Sequence, residues 1–164
     1  MSGIKIRGTG RFAPAKIVTN DDLAKIVDTS DEWITTRTGI QTRHHCTTET
    51  HTDMCVGAAR QALENAMVAF GAALRLARFN VNVSAIHGYF QGMPAPAGAC
   101  VVATFSSDYL SPSAACMVQR GLGLPHDAVC FDLNATCSGF LFAIHTMECL
   151  LAQAPRKYGL VIGA

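Results

Sequence analysis

The sequence is poor in charge. Only 15% of its 164 residues are Asp, Glu, Lys or Arg, and the formal net charge is +1. So even a balance offers no electrostatic handle for nucleic acid or an anionic membrane surface, and neither is expected as a partner. No uninterrupted apolar run is long enough to cross a bilayer. The opening Met1-Ser2-Gly3-Ile4-Lys5-Ile6 lacks the parts of a secretory signal. Cys-x-x-Cys is also missing. The seven cysteines, an odd number, stand mostly inside apolar stretches, at 46, 55, 100, 116, 130, 137 and 149. That usage argues against a disulfide framework and predicts a reduced, cytoplasmic protein. What is abundant is apolar side chain, 49% of the residues. It is enough for one densely buried α/β domain over residues 1–164, and too much for a disordered segment.

Local patterns divide the chain further. Ile4-Lys5-Ile6-Arg7 predicts a short strand closed by Gly8-Thr9-Gly10, a glycine pair that usually marks a turn. Asn20-Asp21-Asp22 predicts the cap of a short helix over Leu23 to Val27. Thr29-Ser30-Asp31-Glu32 starts another helix, with Gly39 as its C-cap. Residues 41–51 are polar and loop-like. Thr52-Asp53 begins a stronger helix whose apolar face is Met54, Cys55, Ala58, Ala59, Ala62 and Leu63. Cys100 to Phe105 predicts a buried strand, and residues 106–113 a loop. Pro112 suits the first turn of a helix running from Ala114 to Leu122. Strands at Ala128 to Leu133 and Tyr158 to Gly163 follow. Strands alternating with helices predict βαβ units, right-handed crossovers and a largely parallel sheet.

One run joins this architecture to chemistry. Asn134-Ala135-Thr136-Cys137-Ser138-Gly139-Phe140 lies between the Ala128 to Leu133 strand and the apolar segment Leu141 to Leu151. A cysteine is thereby placed where a strand gives way to a helix. The first amides of a helix lack internal partners, and that end favours negative charge, hence a thiolate nucleophile. The alternative is that Cys137 is a small buried filler.

Several runs resemble β-ketoacyl-acyl-carrier-protein synthase III of the thiolase-like superfamily. They are Gly8-Thr9-Gly10, Thr19-Asn20-Asp21-Asp22-Leu23, and Val27-Asp28-Thr29-Ser30-Asp31-Glu32-Trp33-Ile34 with Arg37-Thr38-Gly39-Ile40. Further along, Pro112-Ser113-Ala114-Ala115-Cys116 and Asp132 to Phe140 do the same. The resemblance covers most of residues 3–66 and 98–164 and implies the N-terminal half of a thiolase-like α/β fold, usually homodimeric. It implies a condensing enzyme that starts fatty-acid synthesis, with no cofactor and no metal. An acyl group passes from acyl-CoA to Cys137, and malonyl-acyl-carrier protein then decarboxylates and attacks the thioester. The Cys137 amide would supply part of an oxyanion hole. Trp33 resembles the residue that stacks on the adenine of coenzyme A, with Arg37 and Thr29 beside it. Ser111 matches a position shaping the acyl pocket and reaching across the dimer interface. Its small side chain suggests a branched or longer starter.

Two departures qualify this expectation. The family's second half carries the histidine and asparagine that stabilise the carbanion, and none of the six histidines here has the matching motif. The chain therefore reads as a fragment unable to complete condensation alone. Residues 67–97 also depart, as an atypical insertion or altered segment. Met67 to Arg78 could prolong the preceding helix, although Gly71 weakens that reading, and Pro94-Ala95-Pro96-Ala97 follows. The alternatives are another thiolase-fold acyltransferase or a non-catalytic thiolase-like subunit. A metal site from His44, His45, Cys46, His51 and Cys55 matches no standard zinc spacing.

Overall fold

A computed structural model describes residues 3–76, 97–153 and 158–164. The chain forms two units, Ala13–Thr50, and Met1–Phe12 with His51–Ala164.

The smaller unit runs β1 (Lys16–Thr19), α1 (Asn20–Ala24), α2 (Asp31–Thr38), β2 (Thr42–His45). The 41–51 stretch is thus not all loop: β2 pairs antiparallel with β1, from Lys16↔His45 to Thr19↔Thr42. Its polar side chains hid the strand, because a two-stranded ribbon exposed on one face needs few apolar residues. Helix α1 begins earlier than the acidic run suggested. Thr19 is its cap: the Asp22 amide donates to Thr19 Oγ1, and Asp22 Oδ2 accepts from the Thr19 amide. Such a capping box satisfies two end amides at once. Helix α2 follows expectation, with Ser30 accepting from the Trp33 amide and Gly39 closing the helix at φ 70°.

The larger unit holds α3 (His51–Leu76), β3 (Ala97–Ala103), α4 (Ala114–Leu122), β4 (Val129–Leu133), a 3₁₀ turn (Thr136–Ser138), α5 (Gly139–Gln153) and β5 (Tyr158–Gly163). The first part of the atypical stretch does prolong α3, through Gly71 to Leu76, while the readings for 77–96 fall outside the described residues. The three strands form a parallel sheet in the order β4-β3-β5. The fold is therefore α/β, with a parallel sheet in one unit and an antiparallel ribbon in the other.

Helices cover both faces of that sheet. On one face Cys100 and Val102 of β3 pack with Cys55 and Ala59 of α3, and with Ala114, Ala115 and Val118 of α4. On the other, Ala99, Val101 and Ala103 pack with Ala143 and Met147 of α5. The strand is buried on both sides, as its unbroken small and β-branched run requires. A register shift between Ala97 and Ala99 turns Ala97 to the same side as Cys100. Each fully buried valine stabilises by roughly 1.5–3 kcal/mol. Gly159 of β5 leaves a notch in which the Met147 sulfur sits, 2.1 Å from where a Cβ would be.

The predicted strand Ile4 to Arg7 does not form; both isoleucines are exposed. The segment after it instead lies along α3. A Cβ on Gly8 would stand 2.2 Å from Ala62 O, and one on Gly10 the same distance from Ala58 O. Residues two apart in an extended chain face the same way, so both glycines meet the small-residue stripe Ala58, Ala62, Ala66. Asn65 Nδ2 donates to Thr9 O at 2.7 Å, and the Arg11 amide to Gln61 Oε1 at 2.7 Å. The glycine pair is therefore a close-approach device and not a turn.

Candidate functional site

Strands β3 and β4 are neighbours, yet α4 leaves β3 for one face of the sheet and α5 leaves β4 for the other. Chain that diverges in this way opens a crevice beyond the carboxyl ends of the strands, the usual ligand position in open α/β sheets. Cys137 lies just there, on the turn between β4 and α5. Its side chain is exposed, which removes the filler reading.

The turn is held tightly. Thr136, a non-glycine residue, has φ 45°, a left-handed conformation that costs on the order of 1 kcal/mol or more. The Ser138 amide donates to Ala135 O at 3.2 Å, and the Gly139 amide to Thr136 O. Buried Gly139 lets α5 start against β3, since a Cβ there would approach Ala103 Cβ to 3.3 Å. No acidic residue occupies the first turn of α5 to oppose negative charge at that end.

Ser111 is exposed in the loop between β3 and α4, joined to Pro112 by a cis peptide. Pro112 stands just outside α4 and not in its first turn: Ser113 is the cap, accepting from the Cys116 amide. Two carboxylates missed in the sequence fasten this loop. Asp132 of β4 accepts from the Ala114 and Ala115 amides at 2.7 and 2.8 Å, tying the start of α4 to the strand that leads to Cys137. Asp108 accepts from the His51 amide at 3.0 Å, and from the Thr52 amide and Thr52 Oγ1 at 2.8 and 2.7 Å, tying the loop to the start of α3. Burial works to raise the Asp108 carboxyl, but the bonds from Thr52 and His51 outweigh it and hold it below its ordinary value. A lone acid within an apolar strand, as at 132, was the available signal, since a half-buried carboxylate needs donors. Asp108 gave none. Behind the loop, buried His51 Nε2 lies 3.0 Å from Thr104 Oγ1, and its Nδ1 3.7 Å from Cys55 Sγ.

The remaining candidates stand in the Ala13–Thr50 unit. Trp33 is 53% exposed on α2, and the Arg37 guanidinium lies 4.4 Å from its ring centroid. One helical turn apart, they stack as a cation on an aromatic face. Thr29 is half-buried just before the helix. His44 Nδ1 meets Pro14 O at 2.6 Å, and His51 Nδ1 lies 3.7 Å from Cys55 Sγ. Among the described residues no group of three or more ligating side chains could hold a metal ion, and no helix is long and apolar enough to cross a membrane.

The thiols differ sharply in setting. Cys46, Cys137 and Cys149 are exposed, whereas Cys55 and Cys100 are buried. Burial, helped by the charges of Asp108 and Asp132, pushes the Cys55 thiol up to about 11, and burial raises Cys100 still more strongly. Iodoacetamide at pH 8 should therefore add to Cys46, Cys137 and Cys149 of the folded chain and reach Cys55 and Cys100 only after denaturation, as peptide mass mapping would show. Modification of Cys100 in folded protein would contradict the packing around β3.

The family described as 3-Oxoacyl-[acyl-carrier-protein (ACP)] synthase III matches residues 131–164, the stretch from β4 through Cys137 to β5. The beta-ketoacyl-[acyl-carrier-protein] synthase III of Clostridium acetobutylicum is 39% identical over 163 residues, covering 99% of this chain and 42% of the relative. That of Acholeplasma laidlawii is 41% identical over 162 residues, covering 98% and 44%. The crystal structure of 3-oxoacyl-[acyl-carrier-protein] synthase III from Aquifex aeolicus VF5 superposes with a TM-score of 0.77 at 38% identity, over 99% of this chain and 44% of that one. The chain spans less than half the length of the relatives it matches, and over that span it is similar in sequence to β-ketoacyl-acyl-carrier-protein synthase III and shares the α/β fold of that structure.

Proposed function

We propose that these 164 residues form the acyl-accepting part of a condensing enzyme that starts fatty-acid synthesis, a cytoplasmic homodimer at full length. The exposed Cys137, on a strained turn at the mouth of α5, carries this reading. Its thiolate attacks the carbonyl carbon of an acyl-CoA. The carbon–sulfur bond to coenzyme A breaks, and coenzyme A leaves as a thiolate that takes up a proton. The oxyanion of the tetrahedral intermediate needs donors aimed at it. Because the Ser138 and Gly139 amides already serve the turn, the amide of Cys137 itself is the natural first donor. Ser111 borders the acyl group and leaves room for a branched starter. Trp33 stacks on the adenine, and Arg37 and Thr29 contact the nucleotide.

Malonyl-acyl-carrier protein is the second substrate. Its decarboxylation needs a histidine and an asparagine for which these residues hold no match, so the first half-reaction is the one to assay. No cofactor or metal enters it. Incubation with acetyl-CoA or a branched acyl-CoA, followed by intact and peptide mass measurement, should find one acyl group on Cys137 and release of free coenzyme A. Absence of acylation on a Cys137 that still reacts with iodoacetamide would overturn the reading.

A further inference from the structure

The Ala13–Thr50 unit has almost no apolar interior. Among its described residues only Pro14, Val18, Asn20 and Ile34 are buried. Asn20, 1% exposed, is the polar one. Its Nδ2 donates to Asp31 Oδ1 at 2.7 Å, to Ile40 O at 2.8 Å and, more weakly, to Thr35 Oγ1 at 3.3 Å. Its backbone amide donates to Gln41 O at 3.3 Å. One residue thus grips the start, the middle and the exit of α2. Thr35 Oγ1 completes the set by donating to Asp31 Oδ1 at 3.1 Å.

The amide can face only one way. The carboxylate of Asp31 and the carbonyl of Ile40 can only accept, so turning it over would set oxygen against oxygen. Its own Oδ1 has no protein partner among the described residues. The grip is also directional. Asp31 and Thr35 lie one above the other on α2, and residues two positions on are turned about 200° around the helix axis. Trp33 and Arg37 occupy that opposite side. Holding the Asp31–Thr35 stripe inward therefore turns the Trp33–Arg37 stack outward.

We propose that Asn20 is a positioning residue for a flat, anionic ligand of the nucleotide class: it fixes the rotation of α2 and so presents the Trp33–Arg37 stack. This rests on the reading that the stack receives the adenine of coenzyme A. Asn20→Asp retains the shape but sets a carboxylate against Asp31, so α2 is released.

The test compares the full wild-type chain with Asn20→Asp, Thr35→Val and, as reference, Trp33→Ala. Three quantities are read: coenzyme A affinity by calorimetry, amide hydrogen exchange, and the rate of Cys137 alkylation by iodoacetamide. Asn20→Asp should lose protection across residues 31–41, keep it in β3, β4 and β5, leave the alkylation rate unchanged, and weaken coenzyme A binding about tenfold. Thr35→Val, which removes one partner, should weaken binding about two- to threefold, and it decides the matter if Asn20→Asp does not fold. Unchanged exchange in α2, or loss spread equally over the sheet, overturns the proposal. So does wild-type affinity in the Asn20 and Thr35 variants while Trp33→Ala loses binding. If Trp33→Ala binds coenzyme A as wild type does, the adenine reading itself fails, whatever α2 does.

Discussion

Replacing Cys137 with alanine should reduce acyl transfer from acyl-CoA below detection, a loss of at least about a thousandfold, while the thermal midpoint shifts by less than about 2 °C. The two halves of this expectation have different origins. The sulfur is the one thiol of the turn, and the neighbouring Thr136 and Ser138 hydroxyls are weak nucleophiles beside it. Being exposed, it contributes little packing, so its removal leaves no cavity. Cys137→Ser is the sharper variant. A serine hydroxyl is a weak nucleophile without an adjacent base. It should match alanine in activity and wild type in stability. Intact mass after incubation with acyl-CoA, set beside thermal melts, checks both. Persistent acylation of Cys137→Ala would move the nucleophile to another exposed thiol, Cys149 or Cys46.

The largest loss of stability should come from a methyl group at position 10. Gly10→Ala places a Cβ 2.2 Å from Ala58 O and 2.5 Å from the Ala62 nitrogen. Both are backbone atoms of α3, which cannot swing aside, so residues 8–12 must lift off the helix. Overpacking of this kind typically costs 1–3 kcal/mol, occasionally more. Loss of the bonds at Thr9 and Arg11 places this case near about 3 kcal/mol, a fall in melting temperature of roughly 6–12 °C. Gly3→Ala is the control, because nothing lies within 4 Å of its added carbon. It should melt with the wild type. Equal melting of Gly10→Ala would show that the segment does not rest on α3.

What could be read in advance followed the strength of the local signal. The β3-α4-β4-α5-β5 alternation was legible because each strand is a continuous apolar run and α4 has both ends marked, by Ser113 and Gly123. The placement of Cys137 on a strand-to-helix turn was legible because that turn joins two such elements. The Thr42–His45 strand was not, since a ribbon needs no apolar alternation on its open face. Ile4 to Arg7 had the alternation of a strand but pairs with none among the described residues, and Gly8 and Gly10 lay the following residues against α3. Asp108 and Asp132 escaped because they serve amides 57 and 18 residues away, contacts that no window of sequence contains. Asn20 was read as part of a helix cap, whereas Thr19 caps α1 and Asn20 is the buried tie behind it.

The notch at Gly159 bears on how rigidly the helix after Cys137 is held to the sheet. A Cβ there would meet the Met147 thioether first, an unbranched group able to change rotamer with little resistance. At this point α5 meets the sheet through a cushion, whereas residues 8–12 meet α3 backbone to backbone. A small displacement of this helix against β5 can thus be absorbed by one sulfur-bearing side chain.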